Sequence, residues 1–323
     1  MPGDHGDRSG TGGPTEDRVR RRARRQRRLR RQRLLSAAAI VVVAAAIVVV
    51  VAAGSSGGGK SPRDASAGPR GGPGHMQAGP SGGGEKVRNA SPQPGWKPYT
   101  GPVPILEYHV LGRPKTEVPY PDLYVPRASF RKQMDWLDRQ GYEAVTLERV
   151  EQAWYHGGTL PPKPIVLSFD DGYRPQYTFA LPTLREHGWP GVLNLKAEGS
   201  DLYESNVKAM LAAGWELAAH TIHHSDLTTL EGAALEEEVA GSRKILQREY
   251  GVPVKDFCYP AGRFDETVVA AVEAAGYVGA TTEIPGFATR AHPYELARIE
   301  VLGSWTVDTL AETMRADAET AGA

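Results

Sequence analysis

The stretch IVLSFDDGY, residues 165–173, joins an apolar run to a polar end. The apolar run is short and contains branched and aromatic residues, which favours a buried β-strand. Two adjacent carboxylates, Asp170 and Asp171, follow the run, and Gly172 then permits a tight turn. An isolated Asp-Asp-Gly sequence is more often a helix cap or an Asx-turn than a catalytic site. The other strand ends of the chain therefore decide between these interpretations.

Apolar runs that end in polar loops recur from residue 101 onward, between amphipathic stretches of helical period. The predicted strands are 103–110, 143–147, 164–169, 191–196, 215–219, 256–260, 277–282 and 296–302. The predicted helices are 127–140, 175–187, 203–213, 229–250 and 265–275, the last capped by Asp265. Such alternation indicates parallel strands joined by crossover helices. We expect an α/β fold, a distorted or incomplete (β/α) barrel, with a doubly wound open sheet as the alternative.

A second polar strand end, HTIHH at residues 220–224, holds three of the nine histidines. His220 and His224 are four residues apart and would share one side of a helical turn, as two metal ligands must. His220 and His223 also lie close enough, so the spacing leaves both pairs open. Active sites of (β/α) barrels lie at the carboxyl ends of the strands. Because the Asp-Asp-Gly sequence also follows a strand, the two polar motifs are expected to meet there.

Two further strand ends carry polar residues. His109 lies near the end of the first predicted strand, and Tyr-Pro-Ala-Gly forms a predicted turn at 259–262. A histidine in an apolar strand is more often a satisfied core residue than a catalytic group. The position of His109 at the rim of the predicted barrel favours a functional role instead.

The charges are segregated along the chain, although the formal net charge is zero. Residues 1–33 carry twelve arginines against four acidic residues and predict a basic cytoplasmic tail. Residues 34–53 are apolar and uncharged, and about twenty helical residues span roughly 30 Å, the thickness of a bilayer core. We therefore expect a single-pass protein of the cell membrane with an extracytoplasmic domain. Secretion after cleavage of a signal peptide is the alternative.

The rest of the chain divides into a linker and a domain. Residues 54–100 are rich in Gly, Pro and Ser and predict a flexible linker. Residues 101–323 hold 20 basic and 32 acidic residues, and this acidic balance argues against a nucleic-acid partner. The single cysteine, Cys258, excludes an intrachain disulfide, so a buried core must stabilise the domain. We expect this domain to be a monomer.

Three motifs resemble those of one enzyme family, the polysaccharide deacetylases of carbohydrate esterase family 4, known for the NodB-homology domain. They are, in chain order, SFDDG at 168–172, HTIHH at 220–224 and YPAG at 259–262. The strand ILEYHV, residues 105–110, resembles a strand of the poly-N-acetylglucosamine deacetylase branch. The resemblance covers most of residues 101–303. It implies a NodB-type barrel that removes N-acetyl groups, by metal-dependent hydrolysis, from an extracytoplasmic polysaccharide containing N-acetylglucosamine.

The resemblance also implies roles for the first two motifs. Asp170 corresponds to the general base, and Asp171, His220 and His224 correspond to the ligands of one divalent metal ion. One carboxylate and two imidazoles with open positions suit zinc, the expected ion, and also cobalt, nickel, manganese or iron. In the family the metal polarises the acetamide carbonyl and activates a bound water as the nucleophile. His223 is left as a bystander.

The remaining roles fall on the other strand ends. His109 corresponds to a general acid that protonates the departing amine. The turn made by Tyr259, Pro260, Ala261 and Gly262 corresponds to one that stabilises the oxyanion, with the backbone N–H of Ala261 as the donor. Glycine at position 262 would allow the tight turn.

The sequence departs from the family pattern in three respects. Cys258 stands where family members often carry an arginine that orients the base, and Arg298 on a later strand is the expected substitute. No histidine follows His292, so the Leu-x-x-His motif that commonly supplies the acid is absent. This absence strengthens the assignment of His109. Ala261 replaces an aromatic residue, which would widen the substrate groove.

Other functions stay open on the sequence alone. One is a glycan-binding module that has lost catalysis, and another is an esterase that removes O-acetyl groups from a cell-wall glycan. A peptidase would need a different scaffold, because no His-Glu-x-x-His motif occurs. Peptidoglycan, poly-N-acetylglucosamine and chitin-like polymers all qualify as the substrate. Three tryptophans, Trp189, Trp215 and Trp305, could stack on sugars or pack in the core.

Overall fold

A computed structural model describes residues 85–322. Its strands are β1 (Lys97–Pro98), β2 (Ile105–Tyr108), β3 (Val110–Leu111), β4 (Tyr124–Val125), β5 (Glu143–Ala144), β6 (Thr159–Leu160), β7 (Pro164–Asp170), β8 (Val192–Leu195), β9 (Glu216–Ala219), β10 (Asp256–Cys258), β11 (Gly279–Pro285) and β12 (Leu296–Glu300). Its α-helices are α1 (Arg127–Arg139), α2 (Leu147–His156), α3 (Leu181–His187), α4 (Glu204–Ala212), α5 (Gly232–Glu236), α6 (Ser242–Tyr250), α7 (Glu266–Ala274) and α8 (Val307–Ala321). Two π-helical segments, Gln176–Ala180 and Glu237–Gly241, run directly into α3 and α6.

Seven parallel strands form a closed ring, in the order β7, β8, β9, β10, β11, β12 and β2. The ring closes because β2 pairs with β7, from Ile105 opposite Val166 to Tyr108 opposite Phe169. The two-residue strand β5 adds to the first residues of β7. The predicted distorted or incomplete barrel is confirmed, since the ring has one strand fewer than the usual (β/α)₈ barrel. The closure excludes the doubly wound open sheet.

The seven residues of β7 are all buried, but they face two different environments. Leu167 and Phe169 belong to the apolar cluster that also contains Phe130 of α1, so this face packs against the helices. Side chains alternate along a strand, and Ser168 and Asp170 therefore point into the barrel. The interior becomes polar toward the carboxyl ends of the strands.

The predicted helices are present, with the segment 229–250 divided into α5, a π-helical segment and α6. Asp265 caps α7 as predicted, because its side chain accepts a hydrogen bond of 2.9 Å from the Val268 backbone N–H. Two helices, α2 and α8, were not predicted.

Three carboxyl groups lie together at the amino-terminal ends of the strands. Glu216 opens β9 and Asp256 opens β10, and Glu151 reaches them from α2. An added Cβ at Gly279 would lie 2.5 Å from Glu151 Oε1 and 2.9 Å from Asp256 Oδ1, so glycine makes room for the cluster. Burial raises the pKa of Glu151 to about 7 and raises the pKa of Asp256 well above its usual value. This carboxyl cluster therefore holds protons near neutral pH.

Residues 85–100 lie against the same end of the barrel. The Val87 backbone N–H donates to Ala213 O at 3.0 Å. Asn89 is buried, and its Nδ2 donates to Ala144 O at 3.2 Å. Buried and hydrogen-bonded residues therefore precede residue 101, the predicted boundary between linker and domain.

The other predicted N-terminal segments lie outside the described residues. These are the basic tail 1–33, the membrane anchor 34–53 and the first part of the linker, 54–84. Within residues 85–322, no helix combines the length and the apolar character needed to cross a membrane.

Candidate active site

Backbone geometry at the end of β7 separates its two carboxylates. Asp170 is the last strand residue and points into the barrel, whereas Asp171 adopts a left-handed φ of +75°. Gly172 follows, also with a φ of +75°. An added Cβ at Gly172 would lie 2.5 Å from Leu195 Cδ1 and 2.9 Å from Ser200 Cβ, so only glycine fits. The turn directs Asp171 toward the loop after β9.

The loop after β9 carries the histidines without forming a helical turn. Thr221 and His224 have left-handed φ angles of +64° and +62°. Thr221 Oγ1 accepts a hydrogen bond of 2.8 Å from the His224 backbone N–H. The His220 and His224 rings meet edge to face with their centroids 4.8 Å apart. The expected helical turn was wrong, but the folded-back loop still brings these two histidines together.

Asp171 and these two histidines converge on one space. Asp171 Oδ1 lies 3.8 Å from His220 Nε2 and 3.5 Å from His224 Nε2. This oxygen is buried and has no hydrogen-bond partner among the described residues, and Lys196 Nζ is 3.6 Å away. His220 Nδ1 donates to Cys258 O at 2.8 Å, which leaves the Nε2 lone pair toward Asp171. Burial lowers the pKa of His220 to about 4, so the imidazole is neutral. An orphaned carboxylate oxygen between two imidazole nitrogens fits one divalent cation.

His223 points away from Asp171 and contacts Glu238 instead. Its Nδ1 donates to Glu238 Oε1 at 2.7 Å. Glu238 Oε2 accepts the backbone N–H groups of Ile222 at 2.9 Å and His223 at 3.1 Å. Ser225 Oγ donates to Glu238 Oε1 at 3.0 Å. One carboxylate from the π-helical segment thus holds the loop between His220 and His224.

Asp170 is held by several donors inside the barrel. Arg298 Nη1 lies 3.0 Å from Asp170 Oδ1, and Nη2 lies 2.9 Å from Oδ2. Asn194 Nδ2 donates to Oδ1 at 2.6 Å, and the Cys258 thiol faces Oδ2 at 3.5 Å. Burial alone would raise the pKa of Asp170, but the Arg298 guanidinium and nearby histidines hold it below its usual range. The structure therefore brings the predicted Arg298 to an ionised Asp170.

Two other groups of residues are close enough together to hold an ion. They are Asp170, His220 and Cys258, and Glu107, His109 and Asp170. Both need Asp170, whose two oxygens already face Arg298, Asn194 and Cys258. Burial also raises the pKa of Cys258 well above its usual value, so the thiol stays protonated and is a poor ligand. The group containing Asp171 is the better fit.

His109 directly follows β2, and 12% of its side chain is exposed. Its Nε2 lies 3.7 Å from Glu107 Oε1, and a ring nitrogen lies within 4.8 Å of an Asp170 carboxylate oxygen. Gln176 Nε2 donates to the backbone oxygens of His109 at 3.0 Å and of Asp170 at 2.6 Å. These bonds tie the ends of β2 and β7 together and place the predicted acid beside the predicted base.

The turn after β10 presents part of the predicted YPAG motif at the rim. Ala261 is exposed and left-handed, with a φ of +50°, and Gly262 has a φ of +59°. An added Cβ at Gly262 would lie 2.5 Å from Glu283 Cβ, so a larger residue would collide with β11. Tyr259 and Pro260 are buried, and the Tyr259 hydroxyl donates to a backbone carbonyl at 3.1 Å. Tyr259 and Pro260 therefore support the turn, whereas Ala261 reaches the surface.

Sequence reasoning missed three residues that hold the site: Glu107, Asn194 and Glu238. Glu107 lies two residues before His109, and strand alternation would have placed both on one face. Asn194 interrupts an apolar strand and is paired with Asp170 across the sheet. Glu238 lies in a helical segment whose exposed glutamates give no local signal. The tryptophans Trp189 and Trp215 are buried at 0% and 4% exposure, so both pack in the core.

Known proteins are similar to this chain in sequence and in fold. The family model described as polysaccharide deacetylase matches residues 157–280. The Bacillus subtilis protein YxkH, whose name describes a polysaccharide deacetylase, is 31% identical over 205 residues, which are 62% of this chain and 71% of that protein. The chain belongs to the polysaccharide deacetylase family. Members of this family are hydrolytic enzymes, and this deacetylase is therefore an enzyme of the hydrolase class.

Two further relatives match shorter parts of this deacetylase. The Escherichia coli poly-beta-1,6-N-acetyl-D-glucosamine N-deacetylase is 40% identical over 68 residues, which are 21% of this chain and 10% of that enzyme. The Bacillus subtilis peptidoglycan-N-acetylmuramic acid deacetylase PdaA is 30% identical over 129 residues, which are 39% of this chain and 48% of that enzyme. The names of these relatives specify two different polymers.

Solved structures share the fold of this deacetylase. A Streptococcus pyogenes deacetylase in complex with acetate has a TM-score of 0.61 at 23% identity, covering 67% of this chain and 99% of that one. A polysaccharide deacetylase from Bacillus cereus has a TM-score of 0.59 at 28% identity, covering 66% of this chain and 69% of that one. The barrel is therefore the fold of known deacetylases.

Proposed function

We propose that this deacetylase hydrolyses N-acetyl groups of an extracytoplasmic polysaccharide that contains N-acetylglucosamine, with one divalent metal ion. The observation that carries the proposal is the buried Asp171 Oδ1, which lacks a hydrogen bond and lies between His220 Nε2 and His224 Nε2. Zinc suits this ligand set, and cobalt, nickel, manganese and iron are alternatives. When bound, the ion supplies polarisation of the acetyl carbonyl and a lowered pKa for water.

The other residues divide the proton transfers between them. Asp170, kept ionised by Arg298, accepts the proton of the attacking water. His109, at the neighbouring strand end, donates a proton to the nitrogen as the C–N bond breaks. The backbone N–H of Ala261 donates to the oxyanion. The products are acetate and a free amine on the sugar.

The choice of an N-acetylated glycan rests on the named relatives. One acts on poly-N-acetylglucosamine by its name, and the other acts on peptidoglycan. Both are N-acetylated polymers, so the shared chemistry is an acetamide on a hexosamine. An O-acetyl esterase of a cell-wall glycan would use the same residues, except that an alkoxide needs less help from His109 to leave.

We also propose that residues 34–53 anchor the enzyme in the cell membrane, with residues 1–33 in the cytoplasm and the catalytic domain outside. The uncharged apolar segment directly after an arginine-rich tail supports this arrangement. Protease treatment of intact cells should digest the domain while the enzyme sediments with membranes. Recovery of the mature domain in the culture medium would instead indicate a cleaved signal peptide.

Acetate release by the purified full chain tests the activity. The substrates are N-acetylated chito-oligosaccharide, poly-N-acetylglucosamine, peptidoglycan and an O-acetylated polymer, each assayed with and without chelator. We expect acetate from at least one N-acetylated polymer, loss of activity with chelator and recovery on adding zinc. Asp170→Asn is the inactive control. Acetate from the O-acetylated polymer alone would establish the esterase, and binding without acetate would establish a glycan-binding module.

A further inference from the structure

We propose that Glu107 is a positioning residue that connects the general acid to the general base and retains the proton that His109 donates. The proposal rests on the proposed function. Glu107 is 1% exposed and lies in β2, two residues before His109, so that strand alternation puts both on the inner face.

One carboxylate contacts two functional groups. Glu107 Oε1 lies 3.7 Å from His109 Nε2, and Glu107 Oε2 lies 3.3 Å from Arg298 Nη2. The same Nη2 lies 2.9 Å from Asp170 Oδ2. A continuous row of ionisable groups thus runs from His109 through Glu107 and Arg298 to Asp170.

Stability alone does not account for Glu107. Both of its carboxylate oxygens are buried, and neither makes a hydrogen bond of good geometry with the described residues. A buried ion pair without good hydrogen bonds contributes little to folding stability. Replacing such a pair with apolar residues is often neutral or stabilising. Burying this carboxylate costs folding free energy, so its place beside His109 is better explained by an effect on the charge and orientation of the histidine.

The charges of Arg298, Asp170 and Glu107 explain how the proton that His109 donates is retained. Arg298 and Asp170 neutralise each other, so Glu107 and His109 together are neutral only when they hold one proton between them. Burial disfavours a net charge, and the pair therefore holds that proton. Two partly exposed carboxylates, Glu283 of β11 and Glu300 of β12, add negative potential at Glu107 and favour the same state.

The consequence is a supply of protons for the leaving amine. When the C–N bond breaks, the proton on His109 moves to the nitrogen, and Glu107 is left as the anion beside Arg298. A negative charge 3.7 Å from the ring attracts the protonated imidazole, and the substitution Glu107→Gln removes that attraction. Glu107 acts through His109 and does not touch the substrate.

The test compares Glu107→Gln with the wild-type full chain on the N-acetylated glycan that the wild type hydrolyses. We expect kcat to fall by roughly tenfold to a hundredfold, within the range attributed to general acid catalysis, with little change in KM or bound metal. The alkaline limb of kcat against pH should move to lower pH by about one unit. Glu107→Asp keeps the charge and should restore part of both losses.

An activated ester separates this role from a structural one. The 4-nitrophenolate of 4-nitrophenyl acetate leaves without a proton, so Glu107→Gln should retain its rate on that ester, whereas Asp170→Asn should not. Glu151→Gln removes a buried carboxyl group at the other end of the barrel and serves as the matched control, with an unchanged pH profile. An unshifted alkaline limb in both Glu107 variants, or equal losses on glycan and ester, would overturn the inference. If the wild type released no acetate from any N-acetylated glycan, the proposed function itself would fail.

Discussion

Asp170 and Asp171 show how adjacent carboxylates take opposite surroundings. The left-handed turn at Asp171 sends one side chain into the barrel beside Arg298 and the other toward two histidines. Asp170 has its oxygens filled by donors, whereas Asp171 keeps an oxygen without any hydrogen bond. Only the second can accept a cation without giving up an existing hydrogen bond.

The same contrast separates the neighbouring histidines. We expect His224→Ala to weaken zinc binding by more than the roughly 10–100-fold that loss of an outer partner costs. His223→Ala should bind zinc within a fewfold of wild type, because its ring contacts Glu238 rather than Asp171. Competition against a chromophoric chelator measures both affinities. Equal losses in the two variants would contradict the ligand assignment.

At this scale the sequence predicted most of the residues that converge but not the residues that hold them in place. Asp171, His220 and His224 converge as the motif order indicated, and Arg298 reaches Asp170. The spacing of the histidines could not separate His223 from His224, since that depends on two left-handed residues in the loop. A local pattern does not specify such angles.

Among the elements, the π-helical segment Glu237–Gly241 has the clearest effect on the site. Its Glu238 accepts two backbone N–H groups and two side-chain donors from the loop after β9. An α-helix continued without the extra residue would rotate this side chain away from the loop. The segment therefore holds a loop that contains two left-handed residues.

Removal of this contact should loosen the candidate metal site without removing a predicted ligand. We expect Glu238→Gln to lower zinc affinity by about tenfold, because the loop loses charge-assisted hydrogen bonds that hold its shape. Isothermal titration of the metal-free protein measures the effect. Glu236→Gln, an exposed position on the preceding helical turn, is the matched control and should bind as wild type. Wild-type zinc affinity in Glu238→Gln would show that the contact between Glu238 and the loop does not support zinc binding.

The boundaries of strands and helices were predictable where the apolar residues recur with a clear strand or helix period. The strands and the amphipathic helices α1, α4 and α7 lie close to their predicted ranges. Helix α2 was missed because it begins at Leu147, inside the range assigned to a strand, after a Thr146 cap that accepts from Arg149 N. The α8 segment follows the last predicted strand, where the alternation gave no further expectation.

On the scale of the whole molecule, the barrel separates two titrating regions. At the carboxyl ends of the strands, Asp170 has a lowered pKa. At the amino-terminal ends, the cluster of Glu151, Glu216 and Asp256 has raised pKa values. Closure of the ring between β2 and β7 could not be predicted from the strand pattern, because seven or eight alternating units also suit an open sheet. It depends on a pairing between strands far apart in the chain.

The carboxyl cluster gives stability a pH dependence of definite sign. Burial raises the pKa of Glu151 to about 7, so the folded state binds more protons than the unfolded state above about pH 4.5. This contribution is present below that pH and is lost as pH rises through 7. We expect Glu151→Gln to gain stability relative to wild type by about 2–3 kcal/mol between pH 4.5 and pH 8. Urea unfolding at both pH values measures the difference, and a constant difference would contradict it.

The segment before residue 101 should contribute to the stability of the barrel. Val87 is 7% exposed, and Asn89 makes buried hydrogen bonds. Residues 101–323 should therefore unfold at lower urea than residues 85–323, with a loss of about 2–4 kcal/mol. Identical midpoints and slopes would show that these contacts contribute nothing.

That segment also shows at which end of the barrel the domain begins. Val87 and Asn89 contact residues that precede β8 and β9, whereas Asp171, His220 and His224 follow the opposite ends of β7 and β9. The chain at Val87 and Asn89 therefore lies at the end of the barrel opposite Asp171, His220 and His224. Immobilisation on beads through the N-terminal side should therefore preserve hydrolysis of insoluble glycan, because the bead would lie at the end of the barrel away from the candidate site.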